Sequence, residues 1–188
     1  MNKIFKIIVV ALLFVFCAVA AEAKINLFPK PRYIPALKIY SDSGHAFNMS
    51  DFKSDLLIAV VWSRTCGPCL ADIKRLGAFT EAVKNDGIEV ILISPEKEWR
   101  TVEEKRSFLR RLNANNMVSF NDRNSRFKDG MGLAVTPTTV LVNKNGEEVG
   151  QITGSVKWDE SEVIEYMRDL RKKVSEQLDE SESADKQD

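Results

Sequence analysis

The chain has 188 residues, of which 44% are hydrophobic and 29% are charged, a composition typical of one globular domain with a substantial core. Basic and acidic side chains number 27 each, so the formal net charge is zero at pH 7. This balance provides no overall positive field, and it argues against a nucleic-acid-binding protein.

The first 23 residues have the three parts of a secretory signal sequence. Lys3 and Lys6 precede an unbroken apolar run, Ile7–Ala21, which leads into the small-residue motif Ala-Glu-Ala. We expect cleavage after this motif, which removes two lysines and one glutamate and leaves 25 basic and 26 acidic residues. The run of 15 residues is shorter than the ~20 that a spanning helix needs, so membrane contact is expected only if residues 4–21 stay uncleaved as a tether.

Cysteine usage narrows the class of protein further. Without the signal sequence the chain keeps only Cys66 and Cys69, in an exported setting where disulfides persist. A bridge between them closes a very short loop, so its stabilisation lies at the bottom of the usual range of ~0–5 kcal/mol. A purely structural disulfide is therefore a poor interpretation of the pair.

The rest of the sequence predicts an alternation of strands and helices, read from β-rich apolar runs, from helical spacing of apolar residues and from turn residues between them. In chain order we predict an extended lead-in (24–34), a small hairpin (37–40 and 45–49), a buried strand (56–62), a helix from residue 70 to the stop at 85–87, a strand (88–93), a helix (98–113), a strand (117–120), a helical turn (125–130), an antiparallel hairpin (138–142 and 147–152), a helix from about residue 159, and a disordered acidic tail (175–188). Parallel strands first and an antiparallel pair last predict an α/β domain over residues 35–174 around a mixed sheet.

The two cysteines open the first long predicted helix, directly after a buried strand. At this spacing their Cα atoms lie one helical turn apart, inside the ~4.4–6.8 Å window that a disulfide needs. Cys66 lies at the helix start, where free N–H groups and the helix dipole stabilise a thiolate, so we predict it as the attacking thiol and Cys69 as the resolving thiol. Pro68 suits the first helical turn, and Gly67 leaves room for a partner chain.

Metal binding is the competing interpretation of a Cys-x-x-Cys pair. A structural zinc site asks for four ligands, and this pair supplies two. The single histidine, His45, lies in the predicted hairpin, and the sequence has no second cysteine pair. We therefore expect no metal and no other cofactor.

These motifs resemble the thioredoxin superfamily and, within it, the exported TlpA/ResA/CcmG-like thiol–disulfide oxidoreductases. The resemblance covers roughly residues 35–174 and depends on CGPC at 66–69, after a strand ending in Trp62, together with TPT at 136–138. It implies a thioredoxin-like fold, a central mixed β-sheet flanked by helices, with an N-terminal β-hairpin addition.

The resemblance also implies roles around the cysteines. It implies a cis bond at Thr136–Pro137 that faces the disulfide and turns the Thr136 backbone towards a substrate strand. Trp62, Gly67 and Pro68 are expected to bind substrate beside it. Without the resemblance, Pro137 would merely start a strand, since only ~5–6% of X–Pro bonds are cis.

The sequence departs from the pattern of this superfamily at several positions. Thr65 replaces the tryptophan that many relatives carry before the first cysteine, Val60 replaces thioredoxin's buried acid, and Lys74 replaces a proline that commonly kinks the helix. TlpA/ResA-like proteins often carry an acid three residues after the second cysteine, and Asp72 occupies that position. We expect Asp72 to help deprotonate Cys69; the alternative is a solvated helix carboxylate.

Together these features predict an exported protein-disulfide reductase with Cys66, Cys69, Pro137 and Asp72 as catalytic residues. Its expected partners are protein thiols and disulfides and a membrane thiol protein that donates electrons. Its expected location is the periplasm, where reduction of apocytochrome c is one suitable task. Two alternatives stay open: a disulfide oxidase or isomerase, because Thr136 also precedes the cis proline of isomerases, and a non-catalytic thioredoxin-fold chaperone or assembly factor that grips peptides beside Pro137.

Overall fold

The computed structural model describes residues 23–184, with side chains described through residue 180, and the predicted signal sequence before Ala23 lies outside this range. The strands are β1 (Lys24–Arg32), β2 (Ile39–Tyr40), β3 (Ala46–Phe47), β4 (Leu56–Val61), β5 (Ile88–Pro95), β6 (Val118–Asp122), β7 (Thr138–Asn143) and β8 (Glu148–Thr153). The α-helices are α1 (Gly67–Val83), α2 (Val102–Arg111), α3 (Arg126–Gly130) and α4 (Ser161–Ala184). Among the described residues, no helix is both long enough and apolar enough to cross a bilayer.

The strands form one mixed sheet in the order β1-β8-β7-β4-β5-β6-β2-β3. β4, β5 and β6 are parallel neighbours, whereas β7 is antiparallel to both β4 and β8. The predicted hairpin, β2 and β3, joins the β6 edge of this sheet. Because β4 and β5 run in the same direction, the loops that follow them lie at the same end of the sheet, beyond the carboxyl ends of these strands.

β4 is the centre of the core, and each of its six residues is buried. Its side chains alternate between two hydrophobic clusters, as a strand covered on both faces requires. Even-numbered residues pack with α1, α2 and α4, and odd-numbered residues pack with the hairpin and α3. A fully buried leucine or isoleucine contributes ~1.5–3 kcal/mol, so this strand anchors the loop that follows it.

α1 follows that loop and runs without interruption for 17 residues. It buries Ile73, Leu76, Phe79 and Val83, which recur every three or four residues on one face. Lys74, at the position where relatives carry a proline, keeps its backbone N–H and leaves the helix unbroken.

The lead-in is more ordered than the sequence predicted, because residues 24–32 form edge strand β1 rather than only an extended segment. Lys24 to Leu27 pair antiparallel with β8, and the register then shifts before Arg32, around the two prolines of this strand. An edge position tolerates proline because one side of the strand needs no ladder hydrogen bonds. Gly150 of β8 permits the approach, since a Cβ there would lie 2.8 Å from the Asn26 carbonyl oxygen.

The prediction of a disordered tail over residues 175–188 is wrong for residues 175–184, which continue α4. Leu178 is 5% exposed and lies four residues after buried Val174, so it extends the apolar stripe of the helix by one turn. Asp179 pairs with Lys144 at 3.2 Å on the exposed side. The acidic, serine-rich composition of this segment suggested disorder, but one buried leucine is enough to prolong a helix that is already nucleated. Residues 185–188 lie outside the described part of the chain.

Candidate active site

Cys66 lies at the end of the sheet where the parallel strands β4 and β5 finish. It is the N-cap residue of α1, with an extended backbone, and it follows β4 by five residues. Its side chain is half-buried, whereas Cys69, one helical turn further, is 0% exposed. The exposed sulfur therefore belongs to Cys66 and the shielded one to Cys69, as the helix-start argument predicted.

Cys66 and Cys69 are joined in a disulfide, with their Cα atoms 5.3 Å apart. The backbone N–H of Cys69 donates to Cys66 Sγ at 3.2 Å, so a free N–H of the first helical turn points at the attacking sulfur. Gly67 and Pro68 occupy the exposed outer side of this turn. A Cβ built on Gly67 meets nothing within 4 Å, so this position is open to an approaching chain.

The cis-proline loop lies against this sulfur, although it is 70 residues away in the sequence. The Thr136–Pro137 bond is cis, as the resemblance implied. Cys66 Sγ lies 3.4 Å from the Thr136 carbonyl oxygen, Thr136 is half-buried and Pro137 is buried. The sheet explains the proximity: β7 begins at Thr138, whose register partner on β4 is Val61.

Asp72 is a buried carboxylate, and the alternative of a solvated helix residue is wrong. It lies three residues after Cys69 on the inner face of α1 and is 2% exposed. The Ser155 hydroxyl donates to one of its oxygens, and the Val156 N–H donates to the other at 3.2 Å. Burial raises the pKa of Asp72 above its ordinary value of 3.8, and the lowering effects of Ser155, Val156, Trp158 and the Arg75 cation offset this only in part. The group is thus a better proton acceptor near neutral pH than an exposed aspartate.

Trp62 does not bind substrate through its side chain, contrary to the prediction. Its indole ring is 0% exposed and packs on Trp99 and Phe108, with ring centroids 5.8 and 6.2 Å away. The side chain follows the alternation of β4 and points into the helix-covered cluster. Its place directly before the cysteine loop is therefore a structural role.

The sequence analysis missed a hydrogen-bonded network on the loop just before Cys66. Glu98, in the turn after β5, accepts from Ser63 Oγ at 2.6 Å and from the Arg64 N–H at 2.8 Å. Arg64 in turn contacts Glu104 of α2 at 2.7 Å. The sequence predicted only a helix over residues 98–113, and no local signal pairs positions 34 residues apart.

A cavity of about 240 Å³ is lined in part by Thr136. Its lining combines apolar side chains with polar ones, among them Ser63, Glu98 and Lys128. It lies at the mouth of the parallel strands and offers space next to the loop that faces Cys66.

His45 lies at the start of β3, on the far edge of the sheet from β4, and its exposed ring packs edge-on against Phe47 at 4.9 Å. Within residues 23–180, no group of three or more His, Cys, Asp or Glu side chains is arranged to hold a metal ion.

Comparison with known proteins gives a family and a fold. The Redoxin family matches residues 30–167. Two relatives are named thiol-disulfide oxidoreductase ResA. The protein from Geobacillus kaustophilus is 24% identical over 119 residues, which cover 63% of this chain and 66% of that protein. The protein from Bacillus subtilis is 23% identical over 133 residues, which cover 71% of each. The chain thus spans about two thirds of the length of these relatives.

Solved structures show the same architecture. A proposed thiol:disulfide interchange protein, DsbE, from Chlorobium tepidum superposes with a TM-score of 0.61 at 19% identity, covering 77% of this chain and 97% of the other. StoA from Bacillus subtilis superposes with a TM-score of 0.57 at 15% identity, covering 73% and 99%. The predicted thioredoxin-like fold, a mixed sheet flanked by helices, is confirmed.

Proposed function

The chain belongs to the Redoxin family within the thioredoxin superfamily, and from that membership we propose that it is a thiol–disulfide oxidoreductase that reduces protein disulfides. One observation carries this proposal. A half-buried Cys66 sulfur lies 3.4 Å from the Thr136 carbonyl oxygen, while its partner Cys69 is wholly shielded. The outer sulfur is thus accessible to a substrate disulfide, and the loop beside it offers backbone groups to the substrate chain.

The reaction starts from the dithiol form. The Cys66 thiolate attacks one sulfur of a substrate disulfide, an S–S bond forms between them, and the other substrate sulfur leaves as a thiolate that takes up a proton. Cys69 then loses its proton and attacks Cys66 Sγ, which restores the Cys66–Cys69 disulfide and releases the second substrate thiol. The substrate gains two electrons and two protons. Both electrons come from the Cys66 and Cys69 sulfurs, Cys69 gives up one proton, and solvent supplies the other.

The two cysteines enter these steps differently because their surroundings differ. Cys66 at the N-cap receives the Cys69 N–H, an interaction that stabilises the thiolate over the thiol. Cys69 is buried among apolar side chains, which favour its protonated form. It therefore needs a base, and we assign that role to Asp72, whose raised pKa matches it to proton transfer.

Export, and a reducing role in the periplasm, complete the proposal. The N-terminal segment has the pattern of a secretory signal, and residues 4–21 would tether the protein if they were not removed. In an oxidising compartment a reductant must be recharged, so we propose a membrane thiol protein as electron donor. Apocytochrome c, whose thiols must be reduced before haem attachment, is a suitable substrate.

A Cys66→Ser variant tests the mechanism, and the reduction potential tests its direction. The variant should lose insulin reduction completely, because the attacking sulfur is gone; residual activity would refute the mechanism. We expect the potential of the Cys66–Cys69 couple to lie nearer the ~−270 mV of thioredoxin than the ~−120 mV of the oxidant DsbA. A value at the oxidant end would assign the same residues to disulfide formation. Peptide holding by a Cys66→Ser, Cys69→Ser double variant would instead favour a chaperone.

A further inference from the structure

The loop between β4 and Cys66 is held by the carboxylate of Glu98, which lies outside both elements. Glu98 belongs to the short turn Glu96–Glu98 that follows β5. Its two oxygens accept from different donors, Ser63 Oγ at 2.6 Å and the Arg64 N–H at 2.8 Å. Both donors precede Cys66 by three residues or fewer, so the carboxylate holds the chain just before the attacking sulfur.

The Arg64 side chain adds further contacts between this loop and the residues around Glu98. Its Nη1 donates to the Glu98 carbonyl oxygen at 2.8 Å and to Glu104 Oε1 at 2.7 Å. The guanidinium also lies over the rings of Trp99 and Phe108, at 5.0 and 5.5 Å from their centroids. The Arg64 side chain is 32% exposed, so this cation is partly shielded from water and its position is restrained.

The restraint reaches the reactive sulfur through the backbone. The Cys66 N–H donates to the Ser63 carbonyl oxygen at 3.1 Å, so the position of Ser63 determines where Cys66 begins the helix. The position of Cys66 in turn determines two contacts of its Sγ, the hydrogen bond from the Cys69 N–H at 3.2 Å and the approach to the Thr136 carbonyl oxygen. A displacement of about 1 Å in a reacting group can slow the reaction by up to about 10²-fold.

We propose that Glu98 is a positioning residue for Cys66, which holds residues 63–65 so that the sulfur stays on the Cys69 N–H and in front of Thr136. The inference extends the proposed thiol–disulfide exchange, since it concerns the same sulfur. Glu98 acts through two hydrogen bonds rather than through an ion pair, because its oxygens accept from a hydroxyl and a backbone N–H, while the Arg64 guanidinium pairs with Glu104. An exposed ion pair alone contributes only ~0–1 kcal/mol and would not fix a loop.

Two substitutions separate hydrogen bonding from charge. In Glu98→Ala both contacts disappear. In Glu98→Gln the amide oxygen still accepts from the Arg64 N–H, and the amide nitrogen donates to Ser63 Oγ, which as a hydroxyl also accepts. Glu103→Ala is the matched control, because Glu103 is an exposed glutamate in the first turn of α2, five residues further along the chain.

The measurement is the alkylation rate of Cys66 by iodoacetamide against pH, in a Cys69→Ala background. We expect Glu98→Ala to raise the pKa of the Cys66 thiol, and the same substitution with Cys69 intact to slow the reaction with a disulfide probe about tenfold. Glu98→Gln and Glu103→Ala should stay close to wild type in both assays. A Glu98→Ala protein with the wild-type thiol pKa and rate would overturn the inference, as would a Glu98→Gln protein that is impaired as much as Glu98→Ala.

Folding and the proposed function are controlled separately. If Glu98→Ala does not fold, Ser63→Ala removes one of the two contacts in an otherwise intact loop, and an unchanged Cys66 pKa in that variant would overturn the inference. Alkylation requires no substrate protein and no electron donor. Failure of the wild type to reduce insulin would therefore count against the proposed function, whereas failure of the variants to move the Cys66 pKa counts against the role of Glu98.

Discussion

Asp72→Asn should make the protein more stable at neutral pH and at the same time less active. The substitution removes a charge that burial disfavours, while the amide oxygen can still accept from the Val156 N–H and the amide nitrogen can donate to the Ser155 hydroxyl. The variant thus keeps the shape and both hydrogen bonds of the site but no longer buries an ionised group. It also lacks the base that we assign to the deprotonation of Cys69.

The size of the stability change depends on pH in a way that can be worked out. The folded-state pKa of Asp72 is raised above 3.8, so the folded protein binds this proton more tightly than the unfolded chain. The free energy of unfolding of the wild type therefore falls as pH rises from about 3.8 to the folded-state pKa, and it levels off above that pKa. Each unit by which the folded-state pKa exceeds 3.8 lowers the free energy of unfolding by ~1.4 kcal/mol in total. The size of this fall and the pH at which it levels off must therefore give the same folded-state pKa.

The assay is urea unfolding of oxidised wild type and variant between about pH 3.5 and 8, a range that brackets ordinary carboxyl pKa values. Glu89 and Glu148, whose pKa values burial also raises, contribute to both proteins and cancel in the difference. Asp129→Asn, at an exposed position, controls for the loss of one surface charge. A stability difference that does not change with pH, or that favours the wild type increasingly as pH rises, would refute the reasoning.

The same variant is then assayed for exchange. We expect decay of the mixed disulfide, the step in which Cys69 attacks, to slow by about 10²-fold near neutral pH, the lower end of what a general base contributes. The attack of Cys66 on substrate should change little, because Cys66 Sγ accepts a hydrogen bond from the Cys69 N–H and does not depend on the Asp72 carboxylate. An unchanged pH profile of mixed-disulfide decay would remove Asp72 from the catalytic residues.

Two further predictions concern packing. Gly67→Ala should leave the free energy of unfolding within ~0.5 kcal/mol, because a Cβ there meets nothing of this chain, but it should slow exchange with protein disulfides, because we expect the substrate chain to approach at this position. Gly77→Ala, whose Cβ would lie 2.5 Å from the Asn113 carbonyl oxygen, should cost about 1–3 kcal/mol in urea unfolding. Leu178→Ala should cost about 2 kcal/mol, and the exposed neighbour Gln177→Ala almost nothing; equal effects of the two would mean that the end of α4 does not pack on the domain.

Much of the site could be predicted from the sequence because its central motif is local. The apolar run of β4, the turn and the stripe of α1 follow one another in the chain, so periodicity alone places both cysteines at a helix start. The geometry that a disulfide needs arises within one helical turn, and no distant residue is required for it. The partner loop at Thr136–Pro137 was reached only through the resemblance, since residue spacing by itself does not bring positions 66 and 136 together.

The ends of the domain were predicted less well because their signals are weak. β1 carries two prolines and α4 ends in an acidic, serine-rich segment, both of which are typical of irregular chain. Each is ordered by a neighbour that the local sequence does not contain: β8 pairs with β1, and the domain surface receives Leu178.

The sequence by itself determined the position of both thiols at a helix start and the α/β class of the fold, because strand and helix periodicities extend over short stretches of chain. Only the tertiary structure decided that Asp72 is buried, that Trp62 is inaccessible and that Glu98 holds the cysteine loop. These depend on contacts across 34 to 84 residues, set by the order of the strands and the course of the loops between them. The sequence does not show whether water or protein surrounds a carboxylate, and these surroundings determine its pKa and its hydrogen-bond partners.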